Sequence, residues 1–195
     1  MSDGSPRKRE LLEAAYAYAL AHGLADLSLR PLAQGIGTSP RVLLYLFGSK
    51  DGLTRALLAR SRQDERAAMA SLGAGDLVAV GRELWGLLAS PAQRPLLVLW
   101  VEGYSRSLRG DRGPWADFAR ATVHDWLELL TPYAPAGDET EAALLLAVLR
   151  GGMLDLLATG DEVRTTAAVE RHLAGMAARF RRGPDAGPSA APDAP

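Results

Sequence analysis

Apolar residues recur along this chain at intervals of three and four, almost from end to end. Alternating apolar and polar runs are missing, and Val, Ile and Thr are sparse beside Ala, Leu and Arg. The pattern predicts an all-α chain. A first helix starts near Ser5, which can cap it, with Pro6 in the first helical position. It carries Leu11, Leu12, Ala15, Tyr18 and Ala19 at helical spacing and ends at Gly23. A second helix is capped by Ser28 and runs to about Gly35, with Leu29, Leu32 and Ala33 inward. Ile36-Gly37-Thr38 is a tight turn. Ser39-Pro40 then opens a short third helix that reaches Phe47 and stops at Gly48. Ser49 caps a fourth, which carries Leu53, Leu57 and Leu58 into the sixties.

Gly73 and Gly75 break the chain after this head. Further helices are expected at about 76–89, 92–109, 114–130, 138–158 and 162–182, separated by proline- and glycine-containing stretches. The expected organisation is a head over residues 1–50 with a linking helix at 49–70, then a body over 74–182. The tail from 183 to 195, GPDAGPSAAPDAP, is too rich in Pro, Gly and Ala for a core and is expected to be disordered.

Composition narrows the function. The chain has 195 residues and is 48% hydrophobic, enough for a core. No uninterrupted apolar run reaches the roughly 18 residues that span a bilayer. No apolar stretch follows the charges of MSDGSPRKRE, so no secretory signal is expected, and the chain reads as cytoplasmic. With no cysteine, disulfides and thiolate chemistry are excluded. The three histidines, His22, His124 and His172, are scattered, so neither a metal site nor a cofactor is expected. Residues 1–62 hold nine Lys and Arg against five Asp and Glu, a surplus of four in a chain whose net charge is −1. The rest therefore carries −5, and a basic head on an acidic body points to a polyanionic partner.

The informative stretch is Ser28 to Lys50, SLRPLAQGIGTSPRVLLYLFGSK. Two short helices joined by a glycine turn form a helix-turn-helix, whose second helix can lie in a DNA major groove with its N-terminal side chains at the base edges. Here those are Pro40 and Arg41. Ser39 and the amides behind it suit a phosphate. Arg7 and Lys8 sit in the first turn of the first helix, where the helix dipole disfavours cations unless a phosphate meets them. A solvated, partly frayed terminus accounts for them as well.

This segment resembles the head of the TetR/AcrR family of regulators. Leu32-Ala33 matches that family's I-A pair, Gly37 its turn glycine, Ser39 its serine, Leu43 and Phe47 its packed apolar pair, and Ser49-Lys50 its closing S-K. Arg41 stands where the family has glycine, Val42 where it has threonine, and Leu44 where it has an aromatic, with Tyr45 next. The resemblance implies a three-helix helix-turn-helix head followed by a helical-bundle domain for ligand binding and dimerisation. It implies phosphate contacts by Thr38, Ser39, Tyr45 and Lys50, and base contacts by Pro40 and Arg41, with Ser28 and the Arg7–Lys8 pair at the same surface. Arg41 is long enough to reach a phosphate instead.

The body has no G-x-S-x-G, no H-E-x-x-H and no Gly-rich phosphate loop, so no catalytic reading arises. Its aromatics, Trp85, Trp100, Tyr104, Trp115, Phe118 and Trp126, serve either as core, the commoner use, or as the lining of a ligand site. The resemblance implies a pocket among Trp85, Trp100, Tyr104, Phe118, Trp126 and Arg150, with Glu102 and His124 as further polar candidates. Glu102 can instead pair with Arg106 one turn on. Ala142 to Ala158 is apolar on nearly all sides, and Ala147, Gly151 and Gly152 permit close backbone approach. Thr166, Val169, Leu173, Met176 and Phe180 repeat along the final helix as a narrow seam. The two helices either close the monomer or form a homodimer contact. The resemblance favours the dimer and, with it, a palindromic operator on double-stranded DNA and a small-molecule effector. Two other readings remain at this point. One is an all-helical carrier or enzyme whose hairpin is incidental. The other is an architectural DNA-binding protein without a ligand.

Overall fold

The computed structural model describes residues 6–24, 27–70, 73–110 and 113–182. The expected cap at Ser5 and the tail from 183 lie outside them. Within them the chain is helical, with no strand. The helices are α1 (Pro6–His22), α2 (Leu29–Gly35), α3 (Pro40–Phe47), α4 (Lys50–Ala70), α5 (Leu77–Ala89), α6 (Arg94–Leu108), α7 (Phe118–Leu130), α8 (Glu139–Thr159) and α9 (Glu162–Arg182). Two starts differ from the periodicity. A 3-10 turn at Pro91–Gln93 precedes α6. The chain before α7 passes through Asp117 at φ 63, which no continuous helix tolerates, so α7 begins at Phe118 rather than near 114. Trp115 is buried in this turn, beneath the Arg106 guanidinium 5.2 Å from its ring.

The chain divides into two compact units. The first takes α1 to α4, α6 and α7 as far as Trp126; the second takes α5, the end of α7, α8 and α9. The first is thus larger than the head outlined by the glycine break, because α6 and most of α7 group with it.

In the first unit α1 buries Leu11, Ala15, Tyr16 and Ala19, one face of a 3.6-residue repeat. α1 packs on α2 and α4, and α3 packs on α2 and α4; Leu32 and Ala33 of α2, Leu43 of α3, and Leu53, Leu57 and Leu58 of α4 are all buried. Each such leucine contributes ~1.5–3 kcal/mol relative to exposure. Gly35, at the end of α2, lies against the Tyr18 ring of α1, where a Cβ would stand 2.7 Å from Cε2.

In the second unit α5, α8 and α9 pack as a triplet. Glycines set the approach. A Cβ at Gly81 would fall 2.9 Å from Leu173 Cδ2 and 3.0 Å from Leu145 Cδ1, and one at Gly152 would fall 3.0 Å from both Trp85 and Val169. Asp138 caps α8 by accepting the Thr140 N–H at 2.8 Å, and Gly160 ends it in the left-handed region at φ 70. Although no uninterrupted apolar run is long enough, α8 as a whole has 21 residues and a mean hydropathy of 1.7 in its most apolar window, a length and composition sufficient to cross a membrane. Arg150 and Asp155 interrupt it, and Ala142, Leu145, Leu146, Leu149 and Met153 face the core of this unit.

Candidate nucleic-acid interface

The α2–α3 hairpin is built from its turn. Ile36 N–H donates to Leu32 at 3.0 Å, Gly37 N–H to Gln34 at 3.3 Å and Thr38 N–H to Ala33 at 2.8 Å, closing α2 while Gly37 takes φ 67. Ser39 then caps α3, its side chain accepting the Val42 N–H at 3.3 Å, with Pro40 next in the chain. The next helix start is capped in the same way, as Ser49 Oγ accepts the Gly52 N–H at 3.0 Å. Ser28 precedes α2 in extended conformation but makes no side-chain cap bond.

One turn of α3 decides which side chains are available. Leu43 is buried, so the opposite side of the helix faces away from the core. Arg41 and Tyr45 stand on that side, with Tyr45 86% exposed, and Val42 and Leu44 flank them, both exposed. Ser28, Ser39 and Lys50 are also exposed, whereas Thr38 and Pro40 are half-buried. On α1, exposed Arg7 pairs with Glu10 at 2.9 Å, and the half-buried Lys8 ammonium lies 5.7 Å from the centre of the Phe47 ring at the end of α3. Lys8 thus belongs to the α3 neighbourhood by a contact that the sequence did not suggest.

Polar links within the first unit join the end of α1 and α4, the helices that pack with this hairpin, to α6 and α7. Glu102 of α6 accepts the backbone N–H of Leu24, just after α1, at 2.7 Å, and its carboxylate fills the space where a Cβ at Gly23 would sit. Arg62 and Arg66 of α4 both donate to Asp125 of α7, at 2.5 to 2.8 Å. Burial pushes the Asp125 carboxyl up, but the hydrogen bonds from Arg66 and Arg62 outweigh it and hold the group below its ordinary range. Arg60 reaches Glu13 of α1 at 2.7 Å, pairs with Asp64, and lies 4.9 Å from the Tyr16 ring centre. Burial, then the neighbouring Asp64, raises the Tyr16 phenol above its ordinary range. These partners lie as much as 78 residues apart, so no local spacing announced them.

The aromatic candidates do not gather in one place. Trp100 and Tyr104 stack on α6, centroids 4.6 Å apart. Phe118 packs where a Cβ at Gly103 would touch it, and Trp126 is buried on α7; these four are in the first unit. Trp85 and Arg150 are in the second. Trp85 is core there, its indole N–H donating to Thr166 Oγ1 at 3.0 Å. His124 is exposed. The first unit carries an open-sided cleft of about 480 Å³ lined by Tyr16, Leu20, Asp64, Gln93, Pro95 and Leu96, and an adjoining one of about 360 Å³ that shares Leu20 and Pro95. Phe118 lines a third, of about 160 Å³, with Leu58 and Arg62.

The seam expected on α9 is differently used. Val169, Leu173 and Met176 are fully covered within the single chain, against α5 and α8, so they are not available to a second copy. Phe180 is half-buried. Ala147 and Gly151 of α8 are exposed, and with Leu144 and Leu154, exposed by 46% and 47%, they form an apolar stripe at three- and four-residue spacing.

Residues 11–57 match the family model described as bacterial regulatory proteins of the tetR family. Over 174 residues the chain is 32% identical to an HTH-type transcriptional repressor of Mycobacterium tuberculosis, covering 84% of this chain and 88% of that protein. Its fold is similar to that of a transcriptional regulator of Saccharomonospora viridis solved with choline, with a TM-score of 0.71 at 19% identity over 90% of this chain and 97% of that one. It is similar also to the multidrug binding protein EbrR solved with proflavin, with a TM-score of 0.61 at 26% identity over 85% and 98% of the two chains.

Proposed function

The chain belongs to the TetR family of bacterial regulatory proteins, as a DNA-binding transcriptional regulator rather than an enzyme, and from that premise we propose that it is a cytoplasmic repressor that a small, largely apolar molecule releases from an inverted-repeat operator. The observation that carries this reading is the outward side of α3, a capped helix that buries Leu43 and presents Arg41 and Tyr45. In this reading Arg41 donates to guanine O6 and N7, with Pro40 beside it at the bases. Thr38, Ser39, Tyr45 and Lys50 hold phosphates, with Ser28, Arg7 and Lys8 at the margins. Two heads reading two half-sites require a two-fold homodimer. The exposed stripe of Leu144, Ala147, Gly151 and Leu154 supports one, since uncovered apolar surface of this kind marks an interaction site.

The effector reading draws on the aromatic group of the first unit, Trp100, Tyr104, Phe118 and Trp126, and on relatives whose names include a repressor and a multidrug binding protein. Trp85 and Arg150 belong to it less directly, being in the other unit. A ligand that moves α6 or α7 acts on the hairpin through Glu102–Leu24 and Asp125–Arg62/Arg66. By linkage, a preference for the DNA-incompetent arrangement weakens DNA binding, typically by ~1–3 kcal/mol.

Binding-site selection on the full chain and on two variants tests the proposal. The wild type should select an inverted repeat. Arg41→Ala should relax one G·C pair per half-site, a discrimination of ~1–3 kcal/mol. Lys50→Ala should weaken all sequences alike and lower the salt slope by about one. An apolar aromatic compound should release the selected DNA. A site with no two-fold repeat removes the dimer reading, and no preferred sequence at all removes the operator reading. Indifference of the bound complex to every apolar compound removes the effector.

A further inference from the structure

The exposed side of α3 is not uniformly polar. Besides Arg41 and Tyr45 it holds Val42, 37% exposed, and Leu44, 41% exposed, although the core needs only Leu43 from this part of the helix. On a surface that docks against a polyanion, an apolar side chain loses its water on binding and gains nothing from phosphate. It is favourable there only against another apolar group. In the major groove every base edge presents polar nitrogen or oxygen atoms, and thymine alone adds a methyl group, on C5.

We propose that Val42 reads a thymine methyl in each half-site, beside the base pair met by Arg41; the inference rests on the DNA-binding reading above. Three features favour Val42 over Leu44. Val42 lies in the first turn of α3, and the N-terminal residues of such a helix reach the base edges. Its backbone is fixed by the Ser39 cap, which accepts its N–H at 3.3 Å. Its β-branched side chain holds one strongly preferred rotamer in a helix, so its methyl groups are presented with little entropy left to lose. Leu44 lies about 200° further round the helix axis, on the far side of the ridge formed by Arg41 and Tyr45. The helix thereby reads adjoining positions by different chemistry, a guanidinium for guanine and a methyl pair for thymine.

The test removes single methyl groups from the DNA. In the operator obtained by selection, each thymine is replaced in turn by uracil, which keeps the hydrogen-bonding edge and loses only the C5 methyl. Gel-shift affinities are then compared for the full-length wild type, Val42→Ala and Leu44→Ala. For the wild type, one symmetry-related thymine position should lose about fourfold in affinity per half-site, equivalent to ~0.8 kcal/mol for one methyl group returned to water. In Val42→Ala that thymine-to-uracil ratio should fall to one. In Leu44→Ala it should stay at the wild-type value. Because each ratio is measured within one protein, a general loss of affinity in a variant leaves the comparison intact. Insensitivity of the wild type at every thymine, persistence of the ratio in Val42→Ala, or its loss in Leu44→Ala each overturns the inference while leaving operator binding standing. A selection that returns no preferred sequence defeats both readings together.

Discussion

The two units of this molecule both bury an apolar core but differ in the polar links between their helices. In the first, helices far apart in sequence are joined by charged hydrogen bonds that are partly removed from water. Asp125, 8% exposed, accepts from Arg62 and Arg66; Glu102 accepts a backbone N–H; Arg60 bridges Glu13 and Asp64. In the second, the helices close mainly over apolar side chains, with Gly81 against Leu173 and Leu145, and Gly152 against Trp85 and Val169. Its ion pairs, Arg82–Glu170, Arg164–Asp155 and Arg179–Glu141, are more solvated and contribute little. The contrast separates two tasks. Apolar packing is stiff, because close-packed side chains resist any change of volume. A few directional polar links can be exchanged for water at modest net cost, which suits the effector-driven movement of α6 or α7 proposed above.

The largest effect belongs to the second unit. Leu173→Ala removes a fully buried side chain that closes on Gly81, and should lower stability by ~2–5 kcal/mol, read by urea unfolding. A cost below 1 kcal/mol would mean that the triplet is not tightly packed, and the contrast would collapse. In the first unit, Asp125→Asn should cost roughly 1.5–3 kcal/mol, the value of hydrogen bonds to a charged group. It should also reshape the pH profile. The Asp125 pKa is depressed in the fold, so its stabilisation is present above the unfolded value of ~3.9 and lost as pH falls through the lower folded value. The variant should therefore show a flatter loss of stability below about pH 4. An unchanged acid limb would show that the link does not operate in solution. The smallest effect compares the two serines that begin the hairpin helices. Ser39→Ala should cost ~1 kcal/mol, because its side chain caps α3, and Ser28→Ala should fall within about 0.5 kcal/mol of wild type, because it makes no such bond. Equal costs, measured by the same urea titration, would erase the distinction.

Much of the head was legible in the sequence. Ser39-Pro40, Gly37 and Gly48 mark the limits of α3 by local backbone chemistry, and the structure places them accordingly. The starts of α6 and α7 were less legible, because a 3-10 turn at Pro91–Gln93 precedes α6, and Asp117 at φ 63 delays α7 to Phe118, beyond the Gly113-Pro114 signal. The aromatic set illustrates the same limit. Spacing places Trp85 and Trp100 on long helices, but only packing assigns them to different units.

The sequence by itself determined the all-α class, the hairpin with its glycine turn and serine cap, the place of Arg41 at the start of the second hairpin helix, and the basic character of the head. Each of these depends on the 3.6-residue period, on backbone preference or on a count of charges, and all are local properties. Tertiary structure decided the rest. Val169, Leu173 and Met176 form one face of α9 by periodicity alone, but periodicity does not say what covers a face. Their own subunit covers them, and the stripe left open is on α8 instead. Glu102 and Asp125 likewise acquired their roles from partners 78 and 59 to 63 residues away, because a hydrogen bond depends on distance in space and is indifferent to distance along the chain.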